Sequence, residues 1–153
     1  MPCIDEIRDR KYSFSAVKFD KKSLNNIQRL QSQFVKNPTD IKRIHCTVVF
    51  SRDKEMPFYP CKDHMDITAT ITGYDVWQME NEKYCLVALL DCEGLQERHK
   101  EMSLQYDVKD RYDDYKPHIT LSYDVPKNMN TAVLDGQLDS VRIISEYCVT
   151  LNK

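Results

Sequence analysis

Glycine is scarce, with three in 153 residues. That argues against a glycine-rich loop cradling phosphate through backbone N–H groups, and against a long flexible linker. No stretch approaches the ~18 consecutive apolar residues of a membrane-spanning helix. Charge of one sign is lacking too: 22 Lys plus Arg stand against 24 Asp plus Glu, a formal net charge of −2. A protein that grips duplex nucleic acid through many phosphates carries a basic excess, so an anionic ligand here must be held by a local site. Residues 1–10 mix both charges without the apolar stretch of a secretory signal, which points to a cytoplasmic protein. The six cysteines include no C-x-x-C pair, so reduced thiols are expected and a cysteine-based zinc site is not. The length suits a single domain over residues 1–153.

What is present reads as alternating strands and helices. Strand-like runs cover residues 12–19, 44–51, 67–77, 84–91, 118–123 and 141–151. A helix is expected from an N-cap at Ser23 to about Val35, because Leu24, Ile27, Leu30 and Phe34 recur at spacings of three and four. A second covers 93–106, with Leu95, Met102 and Tyr106 on one stripe. Gly73 marks a bend or bulge within its strand. The order strand–helix–strand occurs twice, and the last strand of each unit carries His-x-Thr: His45-Cys46-Thr47 and His118-Ile119-Thr120. Only four histidines are present, and two fall at equivalent places.

Side chains two apart on a strand share a face. His45, Thr47 and Val49 therefore point one way, as do His118, Thr120 and Ser122, leaving Phe50 and Tyr123 to the opposite faces. Packed about a pseudo-twofold axis, the two units would line one cleft with two imidazoles and two hydroxyls. Such a set suits phosphodiester transesterification. One neutral imidazole takes a proton from an attacking hydroxyl and one imidazolium protonates the leaving oxygen. The threonines donate to the phosphate oxygens as charge builds. A ribose 2′-hydroxyl beside the phosphate would serve as nucleophile, so no metal or other cofactor is required. A lone His-x-Thr is weak evidence, since a strand histidine is ordinarily a hydrogen-bonded structural residue; its recurrence in a repeated unit shifts the balance.

These motifs, with the longer strings His45-Cys46-Thr47-Val48-Val49-Phe50-Ser51-Arg52 and Asp113-Asp114-Tyr115-Lys116-Pro117-His118-Ile119-Thr120-Leu121-Ser122-Tyr123, resemble the 2H phosphoesterase superfamily. Within it they are similar to the bacteriophage anti-CBASS nucleases. The resemblance implies an α+β, two-lobed fold with antiparallel sheets around a central cleft. It also implies metal-independent hydrolysis of the 3′–5′ bonds of cyclic di- or trinucleotide immune messengers in the infected host's cytoplasm, through a 2′,3′-cyclic phosphate. His45, Thr47, His118 and Thr120 carry over as the catalytic set, with base and acid unassigned. Tyr12, Trp77 and Glu146 carry over as base-contacting residues, the aromatics by stacking and the glutamate by hydrogen bonding. Two alternatives stay open: RNA-processing chemistry on 2′,3′-cyclic or 2′–5′ linkages, and a non-catalytic sponge. Among other polar residues, His64 reads as exposed and His99 as a satisfied, partly buried histidine. Lys42, Arg43, Arg52 and Lys54 bracket the first motif, and Asp107, Asp110, Asp113 and Asp114 form an acidic stretch.

Overall fold

The computed structural model describes residues 13–51, 62–105 and 115–149. In chain order the elements are β1 (Ser13–Phe19), α1 (Lys21–Phe34), β2 (Cys46–Ser51), β3 (Ile67–Gln78), β4 (Tyr84–Asp91), α2 (Glu93–Gln105), β5 (His118–Val125) and β6 (Ser140–Val149). Short 3-10 turns lie at Ile41–Arg43 and Thr131–Leu134. Helix α1 starts earlier than Ser23, because Asp20 is its N-cap and accepts from the Ser23 N–H at 2.8 Å. Ser23 is instead buried, and its hydroxyl accepts from the backbone N–H of Arg142 at 2.9 Å. The stripe of Ile27 and Leu30 faces the core, and Val35 returns to extended backbone ahead of Asn37-Pro38.

All strand pairs are antiparallel in one sheet of order β2-β1-β6-β3-β4-β5. Exchanging β1 with β4, β2 with β5 and β3 with β6 reverses this order onto itself, which is the signature of a pseudo-twofold axis. The repeating unit is therefore strand–helix–strand–strand, one strand longer than the sequence suggested. The last strand of each unit crosses to pair with the first strand of the other. Because β3 and β6 pair at the centre, from Ile67↔Ile143 to Thr70↔Ser140, the two lobes share one continuous sheet. The register shift at Ile71/Gly73 sits where Gly73 marked a bend.

Both motif strands carry a bulge directly after His-x-Thr. Ala16 faces Thr47 and Ser15 faces Val49, which leaves Val48 as the extra residue. Val87 faces Thr120 and Leu86 faces Ser122, which leaves Leu121 as the extra residue. A bulge reverses the alternation beyond it. Val49 thus joins the main core while Phe50 pairs with Phe14, and Tyr123 packs with Trp77 and Leu89. These three side chains take the faces opposite to those expected from strict alternation.

The main core fills one face of the sheet with Val17, Val48, Leu86, Ile119, Leu121 and Ile143, covered by Ile27, Leu95 and Met102 from the helices. Each fully buried aliphatic side chain contributes roughly 1.5–3 kcal/mol. A smaller cluster of Met79, Cys85 and Val87 lies on the other face with Trp77, Leu89 and Tyr123. Cys46, Cys85 and Cys92 are buried thiols. Cys148 departs from the expectation of reduced cysteines, being disulfide-bonded, and its partner lies outside the described residues. Among the described residues no helix is long and apolar enough to cross a membrane.

Candidate active site

The motif strands β2 and β5 are the two edges of the sheet, yet they meet. The segment entering each motif strand crosses onto the other. Pro38 bridges Ser122, and the Thr39 N–H donates to Leu121 O at 2.9 Å. The Ser122 hydroxyl donates to Asn37 O at 2.6 Å. In the other direction, the Tyr115 hydroxyl donates to Thr47 O at 2.6 Å. The Arg43 guanidinium lies 5.6 Å from the centre of the Tyr123 ring, within range of a cation–π contact across the seam.

His45 and His118 are held alike. His45 Nδ1 lies 2.8 Å from Arg43 O, and His118 Nδ1 lies 2.9 Å from Lys116 O. Each partner is the carbonyl two residues upstream. A carbonyl only accepts, so Nδ1 carries the hydrogen in both rings and the protonation state is decided at Nε2. His45, Thr47, His118 and Thr120 are all buried, at 6–9% exposure. That exposure keeps bulk water from competing for their hydrogen bonds while leaving them at the surface of the fold. The basic residue preceding each motif at that spacing, Arg43 or Lys116, was a signal available in sequence.

The remaining candidates divide. Trp77, on β3, packs edge-on against His118 with ring centroids 4.6 Å apart, and its indole N–H donates to Asp75 Oδ2 at 2.9 Å. Glu146 is elsewhere. It faces Val17, which faces Cys46, so it shares the core face rather than the face of Thr47, Ala16 and Tyr147. Arg98 from α2 binds both its oxygens, Nε to Oε2 at 2.9 Å and Nη2 to Oε1 at 2.8 Å. The Lys62 N–H adds a third bond at 3.3 Å. The guanidinium is held further above its usual range, first by hydrogen bonding to Glu146. Glu146 is therefore not brought together with the histidines, because its place on β6 has the parity of the core. Tyr12, Arg52, Lys54, Asp107, Asp110, Asp113 and Asp114 lie outside the described residues.

Sequence reasoning passed over the surroundings of His45. Phe14 lies 6.1 Å from the His45 ring and 6.4 Å from Tyr147, and Lys18 Nζ sits 5.1 Å from the Tyr147 ring centre. Strand pairing brings these residues to one face, and no local spacing announces it. Arg98 was also missed, although its position three residues after Leu95 puts it beside the apolar stripe. His64 is exposed and His99 half-buried with a hydrogen bond to Val48 O, both in line with expectation. Burial pushes the Cys46 thiol up to about 12, which makes it a core hydrophobe rather than a nucleophile. Among the described residues no three His, Cys, Asp or Glu side chains cluster as a metal site.

The family model for Anti-CBASS protein Acb1 matches residues 12–153. The Acb1 protein of Vibrio phage KVP40 is 33% identical over 147 residues, covering 92% of this chain and 87% of that protein. The Acb1 protein of Enterobacteria phage T4 is 34% identical over 113 residues, covering 73% and 72%. Among solved structures, E. coli LigT complexed with 3'-AMP superposes with a TM-score of 0.58 at 13% identity, over 90% of this chain and 86% of that one. The TT0787 protein of Thermus thermophilus gives 0.58 at 16% identity, over 90% and 84%. At such identities the structures speak for the fold alone, an α+β fold that this chain shares with LigT and TT0787.

Proposed function

The chain belongs to the anti-CBASS protein Acb1 family, and from that premise we propose that it is a phosphodiesterase of cyclic di- or trinucleotide messengers. It opens a 3′–5′ bond by attack of the adjacent ribose 2′-hydroxyl. One of His45 and His118 removes the 2′-hydroxyl proton at Nε2. The oxygen then displaces the 5′-oxygen at phosphorus, and the other histidine protonates that leaving oxygen. The product carries a 2′,3′-cyclic phosphate. Water then attacks this phosphate with the two histidines in exchanged roles, leaving a 3′-phosphate. Thr47 and Thr120 donate to the non-bridging oxygens, where negative charge grows in the transition state. Trp77, edge-on to His118, stacks a base beside the scissile phosphate.

The observation that carries this reading is the matched pair of Nδ1 hydrogen bonds to the carbonyls of Arg43 and Lys116. They fix the same tautomer in both rings, as an acid and a base that exchange roles require. The chemistry draws its nucleophile from the substrate and its protons from imidazole, so the reaction needs no metal. Glu146, bound through both oxygens by Arg98, serves the framework in this proposal rather than a nucleobase.

The test is incubation of the purified protein in EDTA with 3′,3′-cyclic GMP-AMP and with cyclic trinucleotides, products being resolved by mass. Linear products ending in 3′-phosphate are expected. His45→Ala and His118→Ala should each lower kcat by about 10²–10⁴-fold. A cyclic dinucleotide built of 2′-deoxyriboses should bind and resist cleavage, and its cleavage at the normal rate would rule out the ribose as nucleophile. Faster turnover of linear 2′,3′-cyclic or 2′–5′ RNA ends would move the substrate class to RNA.

A further inference from the structure

The bulges after the two motifs strand a carbonyl each, and both carbonyls are met from the opposite half of the molecule. Val48 O accepts from His99 Nδ1 on α2 at 2.6 Å. Leu121 O accepts from Gln31 Nε2 on α1 at 3.1 Å, and from the Thr39 N–H at 2.9 Å. Gln31 also donates to Thr39 O at 3.0 Å and is 2% exposed. Helix α2, of the second unit, thus braces the first motif, while α1, of the first unit, braces the second. His99 is itself positioned by stacking on Tyr115, with ring centroids 4.2 Å apart and 8° between planes. Tyr115 in turn donates to Thr47 O, so two consecutive carbonyls behind the first motif are held by one stacked pair.

We propose that His99 and Gln31 are positioning residues that act crosswise, His99 setting the placement of Thr47 and Gln31 that of Thr120. A bulge is where a strand bends most readily, because one residue has left the ladder. Here the unpaired residue immediately follows the threonine in each motif. Its carbonyl is the point at which a hydrogen bond from outside the strand fixes the direction of the preceding side chain. A buried carbonyl without a partner is costly, so each brace also stabilises the bulge. Because a donor on one half governs the motif of the other, a change in how the halves meet reaches both threonines together. The inference rests on the proposed phosphodiesterase chemistry for its kinetic consequence and on geometry alone for its structural one.

The test compares the wild type with His99→Phe, His99→Asn and Gln31→Met. Phenylalanine keeps the stack on Tyr115 and removes the donor. Asparagine carries an amide nitrogen near the position of Nδ1. Methionine approximates glutamine in length without a donor. The readouts are kcat and KM on 3′,3′-cyclic GMP-AMP in EDTA, the ¹³C-methyl NMR resonances of Thr47 and Thr120, and the melting temperature.

His99→Phe should move the Thr47 methyl resonance and spare that of Thr120, and Gln31→Met should do the reverse. Each should lower kcat about tenfold with KM held within about twofold, since the loss is one of orientation. His99→Asn should restore both the rate and the Thr47 resonance. Unchanged kcat in both donor-less variants would overturn the proposal. So would equal shifts of both threonines scaling with lost melting temperature, or failure of asparagine to restore. Wild-type protein inert on every cyclic nucleotide would instead defeat the phosphodiesterase reading, and the crosswise methyl shifts would still decide the brace.

Discussion

Replacing Arg98 by methionine tests what Glu146 is for. The carboxylate is 0% exposed in its side chain and the guanidinium 10%. Arg98 supplies two of its hydrogen bonds, at 2.8 and 2.9 Å, and the Lys62 N–H supplies another at 3.3 Å. Removing the arginine leaves a buried anion with one long backbone bond. Losing one member of a buried pair costs about 3–5 kcal/mol. For a chain of this size each kcal/mol moves the midpoint by roughly 2–4 °C, so Arg98→Met should melt about 10 °C lower at pH 7. Arg98→Met with Glu146→Leu should recover most of the loss, because replacing both partners by apolar groups removes the charge as well as its counterion. The assay is thermal and urea unfolding of the wild type, both single variants and the double variant, followed by circular dichroism. Glu146→Gln should lower stability with KM for a cyclic dinucleotide nearly unchanged. A Glu146→Gln protein of wild-type stability whose KM rises more than tenfold would refute the reasoning and return Glu146 to base recognition.

Further predictions follow from the same contacts. Leu86→Ala, at a fully buried position of the main core, should cost about 2–5 kcal/mol by denaturant unfolding; a cost below about 1 kcal/mol would show that the core collapses around the void. Trp77→Ala should raise KM and lower kcat by removing the edge contact on His118, whereas Asp75→Asn should give a milder rise in KM by loosening the indole N–H; steady-state kinetics separates the two. Burial raises Cys46 to about 12 from a reference value of 9.0, and it raises Tyr115 as well. Groups shifted upward on folding stabilise fully below their unfolded values, and that stability is lost as pH climbs through the folded ones. Unfolding free energy should therefore hold to about pH 9 and decline toward about pH 12. Cys46→Ser/Tyr115→Phe, lacking both ionisations, should flatten that slope in pH-dependent urea titrations.

Much of this protein was legible in one dimension because period and motif are local. Strand β4 was expected at residues 84–91 and is found at Tyr84–Asp91, since a continuous apolar run bounded by polar residues has few alternatives. The repeat could be read because His-x-Thr ends the same order of elements twice. Helix α1 lost its expected cap because Asp20 and Ser23 are both good caps, and Ser23 was drawn instead to the backbone of Arg142, 119 residues away. Alternation likewise placed Val49, Phe50 and Tyr123 on the wrong faces. A bulge depends on the register of a partner strand, as at Ser15/Ala16 and Leu86/Val87, and not on the strand's own residues.

By itself, the sequence determined the α+β class, the doubled unit and the recurrence of His-x-Thr, whose four polar side chains the proposed chemistry uses. Those follow from side-chain chemistry and from periods of two and 3.6, which the chain carries without reference to distant partners. Tertiary structure alone decided that β2 and β5, at opposite edges of the sheet, meet so that each motif is braced by the other half. It also decided that Glu146 belongs to the core with Arg98 while Trp77 belongs beside His118. The physical reason is that register and sheet closure are properties of pairs of segments. The free energy that selects them comes from burying both segments together, which neither one encodes alone.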